Sequence, residues 1–126
     1  MNAAAVRTVY GDSLLASVVE TIYRTFIAAG VRVNMASELR QTFVKAGLGK
    51  PELLGEFVAG GGADFAGYRW LANTMRSLVP MATKLGISIE ALGDPDTLVQ
   101  RLCAEGANAS RDFWSPPYVG AFARVG

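Results

Sequence analysis

The sequence contains no histidine and only one cysteine, Cys103, in 126 residues. A single cysteine cannot form a disulfide within the chain, and such sparse cysteine usage predicts a cytoplasmic protein. Histidine is the side chain whose ordinary pKa lies nearest neutrality, so its absence leaves Cys103 without a conventional activating base. The same two absences exclude a zinc site built from cysteine and histidine, and we predict no metal site.

Charge and long apolar runs are also scarce. Charged residues make up 18% of the chain, and 12 basic against 11 acidic residues give a formal charge of +1. Nucleic-acid binding requires concentrated positive charge, whereas the basic residues here are dispersed, so we predict no nucleic-acid partner. The apolar runs are much shorter than the roughly 20 residues of a membrane-spanning helix, and the N-terminus lacks a signal-peptide pattern, so we predict no membrane association.

Hydrophobic residues make up 51% of the chain, a composition typical of a globular protein with one core. We predict a single domain over residues 1–126, with residues 1–11 as a flexible arm. Apolar periodicity and capping residues predict four helices, and two β-rich segments predict strands. The helices are expected at 12–29, 34–47, 64–79 (with a kink at Pro80) and 94–106, and the strands at 52–59 and 117–125. The predicted fold is therefore α+β, mostly helical, with a small antiparallel sheet of two late strands.

The glycine run Gly60-Gly61-Gly62 does not have the spacing of a phosphate-binding loop. We interpret this run as a flexible hinge into the helix that follows.

Carboxylates are the remaining acid–base candidates. Glu52 and Glu56 are four residues apart in a predicted strand and therefore share one face. That face is either solvated or lines a pocket in which Glu56 acts as a base. Arg69 and Tyr118 are the other candidate catalytic groups.

Aromatic residues cluster at the two ends of the segment from the 64–79 helix to the last strand. Tyr68, Trp70, Trp114 and Tyr118 are the candidate substrate-binding residues, because tyrosine and tryptophan combine a large apolar body with one polar group. Packing in the core explains each of them singly, and Tyr68 lies on the apolar stripe of its helix. As a set, they are equally compatible with the wall of a hydrophobic small-molecule cavity.

Two stretches carry a resemblance to a known family. One is Leu39-Arg40-Gln41-Thr42-Phe43-Val44-Lys45-Ala46-Gly47-Leu48, and the other pairs Tyr68-Arg69-Trp70-Leu71 with Pro116-Pro117-Tyr118-Val119-Gly120-Ala121-Phe122-Ala123-Arg124. Together they resemble the C-terminal part of class I S-adenosylmethionine-dependent methyltransferases that act on small molecules. The resemblance implies the last two antiparallel strands of a Rossmann-like sheet and a helical cap over the acceptor substrate. The cofactor-binding Gly-rich loop of that family has no counterpart here, so no cofactor is expected in this chain alone. S-adenosylmethionine would bind only if a partner supplied the binding half.

Three functions follow as hypotheses, and the residues leave open whether the protein is an enzyme. The first is a methyltransferase-like domain that binds a hydrophobic small molecule and could support cofactor-free isomerase or cyclase chemistry. The second is half of a split methyltransferase, and the third is a non-catalytic assembly module. Because two strands form a marginal sheet with bare edges, we expect a homodimer or a partner chain that completes the sheet.

Overall fold

The computed structural model describes residues 3–125, which form an α+β, mostly helical structure with short antiparallel strands. The α-helices among these residues are α1 (Ala3–Tyr10), α2 (Leu14–Ala28), α3 (Leu39–Lys45), α4 (Ala66–Lys84) and α5 (Leu98–Asn108). Short 3-10 turns at Met35–Glu38 and Pro95–Thr97 precede α3 and α5, close to where helices were predicted to begin.

The strands are β1 (Glu52–Glu56), β2 (Ala59–Gly60), β3 (Phe113–Trp114) and β4 (Tyr118–Phe122). β1 and β4 pair antiparallel with Leu54 opposite Gly120, which confirms the predicted small antiparallel sheet. β2 and β3 form a second pairing, although residues 108–115 were predicted to be loop. A strand of two residues is too short to produce the alternation on which strand prediction depends.

The described residues form two compact units. The first unit comprises residues 3–31 and 59–113, and the second comprises residues 32–58 and 114–125.

The core of the first unit is built from the predicted helical stripes. On α4, the side chains at steps of three and four residues point inward because that spacing places them on one face of the helix. The predicted positions that prove buried are Leu15, Val18, Val19 and Ile22 on α2, Tyr68, Leu71 and Met75 on α4, and Leu98 and Leu102 on α5. Cys103 and Leu78 pack at the margin of this core.

The segment predicted to be an arm is a helix that contributes to the core. Within α1, Val6 is 1% exposed and Tyr10 is 5% exposed. These two residues are one helical turn apart, so they anchor the same face, but eight residues are too few to show a periodicity. Residues 1 and 2 of the predicted arm lie outside the described residues.

Helix starts follow the capping signals in part. Ser13 precedes α2 and its Oγ accepts a hydrogen bond from the Ala16 amide at 3.0 Å, as predicted. Asp94 caps its turn by accepting from the Asp96 amide at 2.9 Å. The predicted start of α4 was wrong, since Phe65 rather than Asp64 flanks it, whereas the helix continues through Pro80 to Lys84, as expected of a proline that does not end the helix. Pro80 is exposed, so water can satisfy the carbonyl that loses its helical donor.

The second unit has almost no interior. Pro51 and Ser115 are its only buried residues among those described. The Val58 amide donates to Ser115 Oγ at 2.9 Å, and the Ser115 amide donates to the Val58 carbonyl at 2.7 Å. This reciprocal pair joins the segment that follows β1 to the segment that precedes β4, and so continues the pairing of the two strands. Hydrogen bonds rather than apolar burial therefore hold the unit together.

The glycine run is constrained by packing, which contradicts its interpretation as a free hinge. The Phe65 ring lies between Gly60 and Gly67, where added Cβ atoms would fall 2.5 Å and 2.3 Å from it. A Cβ on Gly61 would lie 2.2 Å from Asp112 Oδ1, and Gly62 has φ +81°, in the left-handed region that glycine favours. Close packing or backbone conformation therefore explains why each of the three positions holds glycine.

We predict that Gly60→Ala destabilises the protein by about 1–3 kcal/mol, because the partly buried Phe65 ring must move to admit the methyl group. Gly55→Ala is the matched control, since a Cβ there meets only the Tyr118 carbonyl oxygen at 4.0 Å. Urea unfolding followed by circular dichroism measures both. Equal stability of the two variants would restore the hinge interpretation.

Candidate functional site

A cavity of about 510 Å³ opens in the first unit, between the α1–α2 junction and the end of α5. α4 contributes one side chain, Tyr68, and the loop after α5 completes the wall. The lining residues that carry polar side chains are Tyr10, Asp12, Ser13, Tyr68, Glu105, Asn108, Ser110, Arg111 and Asp112. The cavity is therefore polar at its rim and draws on four separate parts of the chain.

Two phenylalanine rings connect the two tyrosines of the cavity, so that four aromatic rings form one cluster. Tyr10 stacks on Phe113 with centroids 5.6 Å apart and an interplanar angle of 18°. Phe113 contacts Phe65 at 6.0 Å, and Phe65 meets Tyr68 edge-on at 5.2 Å. Such offset and edge-to-face pairs add to the stabilisation that comes from burial alone. Because this cluster belongs to the core, it holds both tyrosine side chains in fixed positions.

Both tyrosines remain protonated well above neutrality. Burial, with a smaller contribution from Tyr23, raises the pKa of Tyr10 from 10.0 to about 12. Burial also raises the pKa of Tyr68, and the nearby Asp112 and Glu105 carboxylates act in the same direction because they disfavour a second negative charge. At physiological pH, each phenol therefore offers a hydrogen-bond donor and not a base.

Glu105 joins the end of α5 to the start of α2. Its two carboxylate oxygens accept hydrogen bonds from the Leu14 amide at 2.8 Å and the Leu15 amide at 3.1 Å. These amides belong to the first turn of α2, where helical partners are missing and the helix dipole favours negative charge. Glu105 thus acts as a cap supplied from another helix, and it fixes the α2 end of the cavity.

Gly106 allows Tyr68 to reach the cavity wall. A Cβ on Gly106 would lie 2.4 Å from Tyr68 Cε2 and 2.6 Å from its hydroxyl oxygen, closer than real contacts allow. Glycine is unfavourable inside a helix, so its presence in α5 is explained by this close approach.

The rim of the cavity carries charges of both signs. Arg111 Nη1 donates to the Thr8 carbonyl at 3.2 Å, which ties the loop after α5 to α1. Asp12 forms an ion pair with Arg7 at the opposite side of the α1–α2 junction. Asp112 lies against Gly61 and is exposed. A ligand in the cavity would therefore meet phenol and guanidinium donors as well as carboxylate acceptors.

The predicted site residues are divided between the two units. Tyr68 is buried and lines the cavity, while Trp70 is 52% exposed on α4 and Arg69 is exposed beside it. The second unit carries Glu56, Trp114 and Tyr118, all of which are exposed.

Within the second unit, the structure brings two of the predicted residues together. Glu56 on β1 lies directly opposite Tyr118 on β4. Trp114 instead meets Phe57 edge-on, with ring centroids 6.4 Å apart. The Glu56 face of β1 is open to solvent, and Glu56 does not line the cavity of the first unit.

Most of the cavity could not be predicted from sequence patterns. Tyr10 lies in the segment predicted to be an arm, and the loop residues Arg111 and Asp112 have no periodic context. Glu105 contacts residues 91 and 90 positions earlier in the chain, and no local pattern marks such a contact. The acidic side chain near the end of a helix was the available signal, because helix C-termini disfavour negative charge unless it has another partner.

Comparison of the chain with protein-family models, with curated proteins and with solved structures gave no match. Among residues 3–125, no helix combines the length and apolar character needed to cross a membrane. The same residues contain no group of three or more cysteine, aspartate or glutamate side chains arranged to hold a metal ion.

The buried tyrosines predict a loss of stability at alkaline pH. The phenol of Tyr10 ionises near pH 10 in the unfolded chain and near pH 12 in the folded one, so the unfolded state loses its proton first. The contribution of Tyr10 to the free energy of unfolding should therefore be complete below about pH 9 and be lost as the pH rises from about 10 towards 12.

Denaturant unfolding at increasing pH measures this decline. Tyr10→Phe should reduce it, whereas Tyr118→Phe, at an exposed position, should leave it unchanged. A decline that is the same in wild type and Tyr10→Phe would show that Tyr10 does not contribute.

Proposed function

We propose that the protein is a small-molecule-binding domain whose site is the cavity of the first unit. The observation that carries the proposal is the placement of Tyr68, a protonated donor held by the aromatic cluster, in the wall of a cavity of about 510 Å³. Cavities of about 300–1,000 Å³ with a few fixed polar groups are typical ligand sites.

The chemistry of the wall defines the class of ligand. Tyr10 and Tyr68 offer aromatic surface with a polar tip, and Arg111 offers a guanidinium group at the rim. We infer a small organic molecule with an aromatic or apolar body and at least one hydrogen-bond acceptor. This ligand agrees with the small-molecule acceptor that the resemblance to methyltransferases implies, and no residue of this chain is assigned to S-adenosylmethionine.

A panel of small aromatic carboxylates and amides, titrated into isotopically labelled protein and followed by NMR, tests the proposal. We expect at least one compound to shift the amide signals of Tyr68, Gly106 and Arg111 together. Tyr68→Phe should weaken that binding by about 2- to 10-fold, which corresponds to the loss of one hydrogen bond. Trp70→Phe is the matched control, because Trp70 lies on the same helix and is half exposed.

Two results would contradict the proposal. One is that no compound in the panel shifts the signals of the cavity residues. The other is that Tyr68→Phe and wild type bind the best compound equally well.

The second unit favours a second candidate function, half of a split methyltransferase. β1 and β4 pair only with each other among the described residues, so one edge of each strand is open to a strand from another chain. In this proposal, the partner would hold S-adenosylmethionine, and this chain would contribute the acceptor site.

Titration calorimetry with S-adenosylmethionine distinguishes the two candidates. We expect no binding heat from this chain alone under either one. Heat that appears only after a second chain with a Gly-rich cofactor loop is added would support the split enzyme. Tight binding by the chain alone would contradict both proposals as stated.

A further inference from the structure

The two open edges of the β1–β4 sheet differ in charge. β1 carries Glu52 and Glu56 near its two ends, and both are exposed. β4 has the sequence Tyr118-Val119-Gly120-Ala121-Phe122, which contains no charged residue. Charged side chains on an edge strand oppose pairing with another strand, so β1 carries a protection that the sequence of β4 lacks; the turn Met35–Glu38 contacts β4 but does not pair with it as a strand.

This difference in charge determines which of the two strands can pair with a second copy of itself. If two copies of β1 paired antiparallel about Leu54, Glu52 of each copy would lie opposite Glu56 of the other, and like charges directly opposite are destabilising. If two copies of β4 paired antiparallel about Gly120, Tyr118 of each copy would lie opposite Phe122 of the other. Aromatic pairs across strands are stabilising, so the second arrangement is favoured.

Gly120 supports the same register. A Cβ on Gly120 would have no heavy atom within 4 Å, and its φ lies outside the left-handed region. Neither packing nor backbone conformation within the chain therefore requires glycine there. Glycine weakens a strand interior and can mark a site where another backbone approaches closely, and Gly120 is the residue that would lie on the two-fold axis.

The side chains beside this two-fold axis are exposed to solvent within the single chain. Tyr118 is 44% exposed and Phe122 is 49% exposed, and they share a face with Leu54, which is 68% exposed. In the second unit, this apolar surface has no interior to enter, since Pro51 and Ser115 are its only buried residues among those described. Cross-strand contact between Tyr118 of one copy and Phe122 of the other would cover part of this apolar surface, which favours association.

We propose that β4 is the homodimer interface, where it pairs antiparallel with β4 of a second copy about Gly120 to form a four-stranded sheet. The strand order would be β1-β4-β4-β1, with the glutamates of β1 at both outer edges. A two-fold contact of this kind closes on itself, whereas pairing of β4 with β1 of the next copy would continue without limit.

Charge variants test the interface without disrupting the sheet of the single chain. In the double variant Tyr118→Lys, Phe122→Lys, each new ammonium lies opposite Glu56 or Glu52 of its own chain, which favours the β1–β4 pair. Across the two-fold axis, each new ammonium would face another one. We expect the wild type to sediment as a dimer and this variant to dimerise more weakly by about two orders of magnitude, with an unchanged circular dichroism spectrum.

A complementary variant restores the interface. Glu52→Lys, Glu56→Lys, Tyr118→Glu, Phe122→Glu keeps opposite charges across β1 and β4 and reverses their signs. Each charged variant alone should be monomeric, and an equimolar mixture should form heterodimers.

Leu54→Lys is the matched control. It removes an exposed apolar side chain from the same face of the sheet, but Leu54 lies on β1, away from the proposed edge. This variant should therefore remain dimeric.

Three outcomes would overturn the proposal. The wild type could sediment as a monomer throughout its soluble range, which includes the case in which the β4 edge serves a different chain. The double lysine variant could associate as strongly as the wild type. Leu54→Lys could abolish the dimer while the double lysine variant retains it, which would place the contact on the face of the sheet and not at its edge.

Discussion

The β1–β4 pair has almost no buried core beneath it, and this constraint determines which interactions can stabilise the second unit. Pro51 and Ser115 are its only buried residues among those described. The reciprocal hydrogen bonds between Val58 and Ser115 continue the strand pairing, but a two-stranded ribbon is marginal without apolar cover. The apolar side chains that could supply cover, such as Leu54 and Phe122, are instead exposed. In the proposed dimer, a second copy of β4 would widen this sheet from two strands to four.

The first unit, by contrast, has a well-formed core and a cavity at the margin of that core. The aromatic series from Tyr10 to Tyr68 belongs to the core and to the cavity wall at once. Glycines at 60, 67 and 106 make this packing fit, since a methyl group at any of them would enter the Phe65 or Tyr68 ring. Glu105 adds an electrostatic constraint by capping α2 from α5. Ligand binding in this cavity would need no rearrangement of the core.

Elements with a repeating apolar pattern were predictable from the sequence, whereas contacts between residues far apart in the chain were not. The stripes of α2, α4 and α5 were recognisable because three- and four-residue spacing marks a buried face over several turns. The β1–β4 pair was recognisable from two β-rich segments. By contrast, α1 is too short for a periodicity, and β3 has two residues. The cavity was predictable only through Tyr68, because Glu105 and Arg111 gain their roles from contacts with residues about ninety or more positions away. The glycine run looked like a hinge because local sequence does not show that Phe65 packs against it.

Hydrogen exchange of the β4 amides tests the central claim most directly. In an antiparallel pair, alternate amides point towards the partner strand and away from it, so β1 and β4 each have amides directed outward. If two copies pair through β4, its outward amides should be protected at high protein concentration and lose protection on dilution, while the outward amides of β1 exchange rapidly at both. Rapid exchange of the outward amides of β4 at every concentration would contradict the account.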